Sequence, residues 1–294
     1  MKILLILFII FFTKIAFPET ATIHLDITYS GKNLKINADY HTHTRTHNTV
    51  AIAIHGTRGF KTMEVISVLS DNLLDLKIDT IAPNISYGIN NRQNEFLSCD
   101  IEHLHNRYSN IDEIVRWFLF ALEKDYQEII LIGHSRGGQD VMHAYRKILE
   151  DYPNESKKIS SIVLLAPLTD NMNDISNHIK KSSNMTISEV LNKDKNAVIQ
   201  IDFMNCANVN VKVSSFLSYY NLSSHEEMTH ILKNVAINTY IFSASEDEFA
   251  PKTHSKISGI NNTYVKLMKI DGSDHFFRDL YLDEVIENLT DLIE

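Results

Sequence analysis

The strongest constraint on the fold is a short run in the middle of the chain, where an apolar segment leads into the pattern G-x-S-x-G. Residues 128–132 have the composition of a buried strand, Gly133 and Gly137 bracket Ser135, and residues 139–149 carry apolar side chains at helical spacing. A serine between a strand and a helix can project from a sharp, strained turn only if its neighbours two positions away are small. The run therefore predicts an exposed serine hydroxyl at a strand-to-helix turn.

The scarcity of glycine makes this pattern more specific. The chain has 9 glycines, whereas average usage would give about 20. Three of them, Gly133, Gly137 and Gly138, lie in the predicted turn, and two more follow His55 in the segment His-Gly-Thr-Arg-Gly. The competing interpretation is a nucleotide-binding turn, but no G-x-G-x-x-G pattern occurs. The run thus favours a nucleophilic serine over a phosphate site.

A carboxylate and a histidine follow two late strands, in the order that would complete a catalytic triad. Residues 239–243 lead to Asp247, and residues 264–270 lead to His275. We expect His275 to remove the proton of Ser135, and Asp247 to hold the imidazole in the required tautomer and to stabilise its cation. This order of serine, acid and histidine predicts nucleophilic catalysis.

The acid is the member of the triad that the sequence leaves open. Glu246 and Glu248 flank Asp247, so more than one carboxylate is available in that loop. Asp170 follows an earlier apolar run, residues 161–166, and is an alternative position for the acid. We therefore predict Asp247 and keep Asp170 as the alternative.

A second glycine turn supplies candidate donors for negative charge on a substrate oxygen. His55 and Gly56 come directly after the apolar run 49–54. Acyl transfer requires backbone N–H groups at the place where negative charge develops. One is expected from Arg136, the residue after the nucleophile, and the other from Thr57 in this early loop.

The rest of the chain alternates strand and helix patterns, which predicts an α/β protein with a mostly parallel sheet. Residues 22–28 and 34–38 read as an antiparallel pair before this alternation. Residues 168–234 break the rhythm, since they are long, polar and mostly helix-like. We expect them to form a helical cap over the strand ends, inserted in a single domain that spans residues 21–294.

The turn at Ser135 and the loops that carry Asp247 and His275 resemble those of the α/β-hydrolase superfamily. The resemblance covers essentially the whole chain after residue 20, and it implies an eight-stranded sheet with helices on both faces. Residues 133–143 are also similar to the elbow helix of fungal siderophore-ester hydrolases, as are residues 166–170. The resemblance implies a serine hydrolase without a cofactor.

Composition excludes some other classes of protein. Hydrophobic residues make up 44% and charged residues 22%, as in ordinary globular proteins rather than disordered ones. The formal net charge of −9 argues against nucleic-acid binding, which needs a basic surface. His41, His43 and His47 form an H-x-H-x-x-x-H pattern without a matching carboxylate or cysteine nearby, and His103 and His105 repeat H-x-H. A polar connection is the simpler interpretation of both, so we predict no metal.

The chain begins as an exported protein does. Met1 and Lys2 precede an apolar run over residues 3–12, which is the length of a signal peptide and too short to span a bilayer comfortably. We predict a signal peptide over residues 1–20 and a periplasmic or secreted protein, with an uncleaved membrane anchor as the alternative. Cys99 and Cys206 would be able to pair in an oxidising compartment, or could be two small buried hydrophobes.

The predicted function is hydrolysis of a small-molecule carboxylic ester. Amide, peptide and thioester hydrolysis use the same triad, so they remain alternatives. A non-catalytic binding module on the same fold is a further alternative, although such relatives usually lose the serine or the histidine, and both are present here. We expect neither a nucleic acid nor an obligatory membrane partner, and the sequence does not indicate an oligomeric state.

Overall fold

The computed structural model describes residues 18–29, 31–43, 47–183 and 185–293. Residues 1–17, which make up most of the predicted signal peptide, lie outside the described residues. In the part of the chain that is described, no helix is long and apolar enough to cross a membrane. The strands there are β1 (Pro18–Tyr29), β2 (Lys32–His43), β3 (Thr49–Ile54), β4 (Asp79–Asn84), β5 (Glu128–His134), β6 (Ile159–Leu165), β7 (Val198–Phe203), β8 (Cys206–Lys212), β9 (Thr239–Ala244) and β10 (Val265–Ile270).

The helices alternate with these strands through most of the chain. Each of the central strands β3, β4 and β5 is followed by a helix, as the sequence pattern predicts. The helices are α1 (Glu64–Asp75), α2 (Arg107–Glu123), α3 (Arg136–Asp151), α4 (Met172–Ser182), α5 (Ile187–Leu191), α6 (Val213–Tyr220), α7 (Met228–Asn234), α8 (Thr253–Ile257) and α9 (Leu280–Ile293).

Eight strands form one sheet in the order β1-β2-β4-β3-β5-β6-β9-β10. β1 pairs antiparallel with β2, and β2 pairs antiparallel with β4. All further neighbours, from β4 to β10, are parallel. The predicted eight-stranded, mostly parallel sheet is confirmed.

Helices cover both faces of this sheet. α2 and α3 pack on one face, where Trp117 and Phe118 are fully buried, and α1 and α9 pack on the other. Since both faces are covered, β3 and β5 are buried along nearly their whole length, which explains their continuous apolar runs. The carboxyl ends of the parallel strands meet at one edge, so the loops after β3, β5, β6, β9 and β10 lie together.

The segment between β6 and β9 contains α4 to α7 and a hairpin of β7 and β8. The helices agree with the predicted character of residues 168–234, but the hairpin was not predicted. Its strands are short, and its turn is Met204-Asn205, both with positive φ angles of 51° and 61°. Sequence reasoning looks for Asn-Gly or Asp-Gly at such turns, so methionine conceals this one.

A disulfide bond joins Cys99, in the loop before α2, to Cys206 at the start of β8. It crosses 107 residues of chain. The bond ties the hairpin of the insertion to a loop of the main sheet. The two cysteines are therefore paired, rather than two small buried hydrophobic residues.

Two element boundaries differ from the sequence pattern, which predicts that Pro83 ends a strand and that Ser109 lies at the start of the next helix. Pro83 does not stop β4. The strand continues to Asn84 because its antiparallel pairing with β2 reaches Asn84, although its pairing with β3 ends at Ile81. α2 begins at Arg107 and is capped by Asn106, whose side chain accepts the N–H of Ser109. Ser109 therefore lies within the first turn, where asparagine at the cap satisfies its free N–H.

Candidate active site

Ser135 occupies the strained turn between β5 and α3. Its φ of 56° and ψ of −121° lie in a region that side chains rarely adopt. Its backbone N–H donates to the carbonyl of Leu165 at 2.8 Å, which fixes the turn to the neighbouring strand β6. The hydroxyl is thus presented at the carboxyl edge of the sheet by backbone geometry rather than by its rotamer.

The flanking glycines are required by close approach of the backbone. A Cβ atom on Gly133 would lie 2.5 Å from backbone atoms of Gly137 and Gly138. A Cβ atom on Gly137 would lie 2.4 Å from the carbonyl oxygen of His55 and 2.5 Å from that of Ile54. Because backbone atoms cannot move aside, the turn needs glycine at both positions.

The structure brings Ser135, His275 and Asp247 into one hydrogen-bonded row. His275 Nε2 lies 2.8 Å from Ser135 Oγ, and His275 Nδ1 lies 2.8 Å from Asp247 Oδ2. The residues are 5%, 4% and 6% exposed, respectively. With the Nδ1–H donating to the carboxylate, Nε2 is left to accept the serine hydroxyl, which is the arrangement that a general base requires.

The environment of Asp247 keeps it charged. Its Oδ1 accepts the backbone N–H groups of Phe249 and Ala250 at 2.8 and 2.7 Å. Burial alone would raise the pKa of this carboxyl, but the hydrogen bond from His275 and the two N–H groups together hold the pKa of Asp247 below its ordinary value. The carboxylate is therefore ionised at neutral pH.

His134 links the serine turn to the loop of His275. Its Nε2–H donates to the carbonyl oxygen of His275 at 2.9 Å, and the two rings lie 4.9 Å apart. Burial lowers the pKa of His134 to about 3, so this side chain is neutral at physiological pH. The bond holds the backbone of the histidine loop against β5.

The early glycine loop is ordered by His55. Its Nε2 accepts the N–H of Ile85 at 3.1 Å, and its Nδ1–H donates to the carbonyl of Gly56 at 2.9 Å. Burial lowers the pKa of His55 to about 3, so its imidazole is neutral at physiological pH.

Two backbone N–H groups near Ser135 are free to bind an oxyanion. Among the described residues, the backbone N–H groups of Thr57 and Arg136 have no acceptor. Both residues line the same cavity as Ser135, so both N–H groups are candidates for binding an oxyanion.

Asp170 does not reach His275. Its side chain is half exposed, and its nearest ionic partner is Lys256, with Oδ1 and Nζ 3.9 Å apart. It lines the rim of the cavity in the insertion. The structure thus places Asp247, and not Asp170, against the imidazole.

A cavity of about 930 Å³ opens over Ser135. The insertion contributes much of its wall, including His178 of α4 and Tyr220 of α6, which no motif marks in the sequence. Its apolar wall includes Met63, Phe96, Leu168, Ile175, Phe249 and Phe276. Its charged residues are Arg58, Arg136, Asp170, Asp174, Lys181, Glu248 and Lys252.

The histidine pairs outside the row take part in packing and hydrogen bonding. His103 and His105 are buried, and His105 Nδ1 lies 2.9 Å from the hydroxyl of Tyr219. His47 lies 2.9 Å from Asp79 at the opposite end of the sheet. Within the described ranges, no three side chains of histidine, cysteine, aspartate or glutamate are grouped so that they could hold a metal ion.

The match to a protein family covers residues 25–227, which is more than half of the chain. That family is described as "Protein of unknown function (DUF1749)". The chain belongs to the DUF1749 family. No curated protein matches the chain.

Solved structures show that this DUF1749 protein has the fold of the α/β-hydrolase superfamily. Est1E from Butyrivibrio proteoclasticus is 16% identical, with a TM-score of 0.63 over 92% of this chain and 97% of that one. The esterase domain of a Rhodothermus marinus protein is 12% identical, with a TM-score of 0.59 over 93% and 97%. The α/β hydrolase GrgF from Penicillium sp. sh18 is 11% identical, with a TM-score of 0.61 over 93% and 96%. At these identities, the likeness shows the fold alone.

Proposed function

We propose that this protein is a serine hydrolase that cleaves carboxylic esters through an acyl-enzyme intermediate. The observation that carries the proposal is the hydrogen-bonded row of Asp247, His275 and Ser135, built on a serine with strained backbone geometry. A binding module would gain nothing from strain at Ser135, since such strain costs free energy and persists chiefly where it serves chemistry.

The row supports a two-step reaction. His275 Nε2 takes the hydroxyl proton as Ser135 Oγ attacks the ester carbonyl carbon, and the resulting oxyanion accepts the N–H groups of Thr57 and Arg136. The intermediate collapses, the bond to the alkoxide breaks, and His275 gives its proton to the leaving oxygen. Water then attacks the acyl-enzyme by the same route, which releases the carboxylic acid and restores Ser135.

Asp247 supports both steps through His275. Its carboxylate accepts the Nδ1–H, so the lone pair stays on Nε2, and its negative charge stabilises the imidazolium that forms. The two N–H groups that hold Oδ1 keep the other oxygen directed at the ring. We propose that Asp247 is the orienting acid for this reason.

Export is a second part of the proposal. The bond between Cys99 and Cys206 supports an oxidising compartment, because disulfides persist in secreted and periplasmic proteins and are rare in the cytosol. Together with the apolar start of the sequence, it favours a periplasmic or secreted enzyme whose signal peptide is removed. We propose a small-molecule ester, reached through the open cavity, as its substrate.

A substrate panel tests the choice of reaction. We expect the protein to hydrolyse 4-nitrophenyl esters of at least one acyl length between two and twelve carbons, faster than matched thioesters and anilides. A structure of Est1E holds ferulic acid, so the panel should include methyl ferulate, which would suit the aromatic wall formed by Phe96, Phe249 and Phe276. Ser135→Ala should lower turnover at least about 10³-fold. Faster cleavage of the anilides would instead assign an amidase.

A further inference from the structure

The residue after the nucleophile carries a buried cation. Arg136 is only 7% exposed. Its Nε–H donates to Thr57 Oγ1 at 3.2 Å, and its Cζ lies 5.6 Å from the ring centre of Tyr219 and 5.7 Å from that of Tyr220. Cation–π contacts of this kind do not use the N–H groups of the guanidinium, which stay available for hydrogen bonds. The remaining N–H groups have no acceptor within the described part of the chain, and the side chain lines the cavity.

No carboxylate lies within 4.0 Å of the Arg136 guanidinium among the described residues, in which the ion-paired arginines are Arg107, Arg116 and Arg278. Asp140, one turn further along α3, is held by the Nε of Arg107 at 2.8 Å. The chain has 37 acidic residues against 28 arginines and lysines, so acids are plentiful. A buried cation without a charged partner is costly and rare. Its position beside Ser135 indicates that the partner is supplied by a ligand.

Arg58 brings a second guanidinium to the same cavity. It follows Thr57 in the early glycine loop, with a positive φ of 58°. Its backbone N–H donates to the hydroxyl of Tyr87 at 3.2 Å, and its Nε–H donates to the carbonyl of Leu97 at 2.7 Å. The side chain is half-buried and, like Arg136, has no carboxylate within 4.0 Å in the described residues. Both ends of Arg58 are thus held before any ligand binds.

A third arginine shows how this protein satisfies a structural guanidinium. Arg92 is buried near the same loop, and its terminal nitrogens donate to four backbone carbonyl groups. Arg92 does not line the cavity. In Arg58 and Arg136 only the Nε–H has an acceptor among the described residues, a backbone carbonyl for Arg58 and the Thr57 hydroxyl for Arg136, so their terminal nitrogens are available at the cavity surface.

The acids of the cavity lie in the insertion and the late loops. Asp174 is paired with Lys252 and Lys256, at 2.9 Å and 2.5 Å. Asp170 lies 3.9 Å from the same Lys256. Two of the three acidic groups that line the cavity are therefore already countered by lysines, whereas the two arginines near the nucleophile are not.

We propose that Arg58 and Arg136 form an anion subsite beside Ser135, which binds an anionic oxygen group, a carboxylate or a phosphate, carried by the ester substrate. Guanidinium edges match the paired oxygens of such groups and bind them with two parallel hydrogen bonds. The inference rests on the proposed ester hydrolysis and narrows its substrate to esters that keep a negative charge. A preordered pair of cations holds such a substrate at low cost in entropy.

The test compares esters that differ only in charge. One series of 4-methylumbelliferyl esters ends in a carboxylate, a second ends in a phosphate, and a third ends in an uncharged carboxamide, each with three to six carbons in the acyl part. A parallel series places the same groups in the alcohol part. We expect kcat/KM for the best anionic ester to exceed that of its carboxamide partner at least about 10-fold, mainly through KM. This ratio of kcat/KM, anionic ester over carboxamide partner, is measured for both anionic series. The series with the higher ratio shows whether the subsite prefers a carboxylate or a phosphate.

Variants assign the ratio to the subsite. Arg58→Gln and Arg136→Gln should each reduce the ratio to within about 3-fold of unity, whereas Arg136→Lys should retain part of it. Arg116→Gln is the matched control, since it removes one partly exposed arginine that is paired with Glu123 away from the cavity, and it should leave the ratio unchanged. If Arg136→Gln lowered anionic and neutral turnover equally, its role would be to pack against α6. An unchanged ratio in Arg58→Gln, or a wild-type ratio at or below unity, would overturn the subsite.

Binding without turnover separates this proposal from the proposed function. Calorimetry on Ser135→Ala needs no catalysis, and it should detect adipate or inorganic phosphate but not adipamide. That binding should weaken at least about 10-fold when Arg58→Gln is added. Binding that persists while no ester is hydrolysed would leave the subsite standing and remove the esterase. Ester hydrolysis without anion binding would support the esterase and contradict the anion subsite.

Discussion

The two halves of the candidate site are built in different ways. In the sheet half, Ser135, Asp247 and His275 follow strands. The N–H of Ser135 donates to Leu165, Asp247 accepts backbone N–H groups of its own loop, and the carbonyl of His275 accepts the side chain of His134. In the cap half, residues 168–234, helices and a hairpin reach the same cavity from a separate segment. The sheet half is therefore suited to chemistry that needs fixed distances, and the cap half to recognition that varies between substrates.

Side-chain contacts tie the cap half to the rest of the molecule. Asp174 of α4 bonds Lys252 and Lys256, next to and within α8, and the pKa of Asp174 is about 2 because these lysines outweigh the effect of burial. The disulfide bond of Cys206 ties the hairpin to the loop before α2. Contacts of this kind can change without disturbing the strands, so the two halves can differ in how much they tolerate mutation.

The largest expected effect is the loss of kcat when Asp247, the acid of the sheet half, loses its charge. In Asp247→Asn, Oδ1 can still accept the N–H groups of Phe249 and Ala250, but the amide group faces Nδ1 of His275. The imidazole is then driven into the wrong tautomer. We expect kcat to fall at least about 10²-fold with little change in thermal stability, measured by ester hydrolysis and by thermal unfolding.

Asp170→Asn is the matched variant on the cap side. It makes the same chemical change on a half-exposed carboxylate that does not contact His275. Turnover should change by less than about 5-fold, since the ionic partner of Asp170 among the described residues is Lys256, 3.9 Å away at a partly exposed site. A nearly inactive Asp170→Asn together with an active Asp247→Asn would place the acid after β6 and contradict the account of the late loops.

A smaller effect is expected on stability, and it compares the cap half with the sheet half. Replacing Cys99 and Cys206 by serine opens a loop of 107 residues, and loss of such a bond typically costs about 2–4 kcal/mol of unfolding free energy. We expect hydrogen exchange to rise in β7, β8 and the loop before α2, and to stay low in β5 and α3. An equal rise in β5 would show that the two halves are one cooperative unit.

The sequence predicted the sheet half because its constraints are local. Gly133 is required by backbone atoms of Gly137 and Gly138 in the same turn, so this requirement is visible within a few positions of the sequence. Gly137 is required by the carbonyl groups of Ile54 and His55 at the end of a neighbouring strand, but its spacing from Ser135 in the sequence still marks the turn. The order of Ser135, Asp247 and His275 could be predicted because each residue follows a strand that is recognisable in the sequence.

The features that the sequence did not predict depend on contacts between distant parts of the chain. The β7–β8 hairpin turns at Met204 and Asn205, which have a left-handed backbone although neither is a glycine. Whether Cys99 meets Cys206 depends on how the insertion folds back over the sheet. The lack of a carboxylate in contact with Arg136 could not be predicted either, because Asp140 lies one turn away in the sequence and its bond to Arg107 is visible only in the structure.

The central claim is that Ser135 is a nucleophile activated by His275, and covalent labelling tests it most directly. Intact mass and peptide mapping after treatment with a fluorophosphonate should show one adduct, at Ser135, and none in Ser135→Ala. Ser243→Ala is the control, because Ser243 Oγ also lies 2.9 Å from a histidine, His254 Nδ1, but sits within β9 rather than in a strained turn. That variant should be labelled as the wild type is. An adduct that persists unchanged in Ser135→Ala would contradict the account.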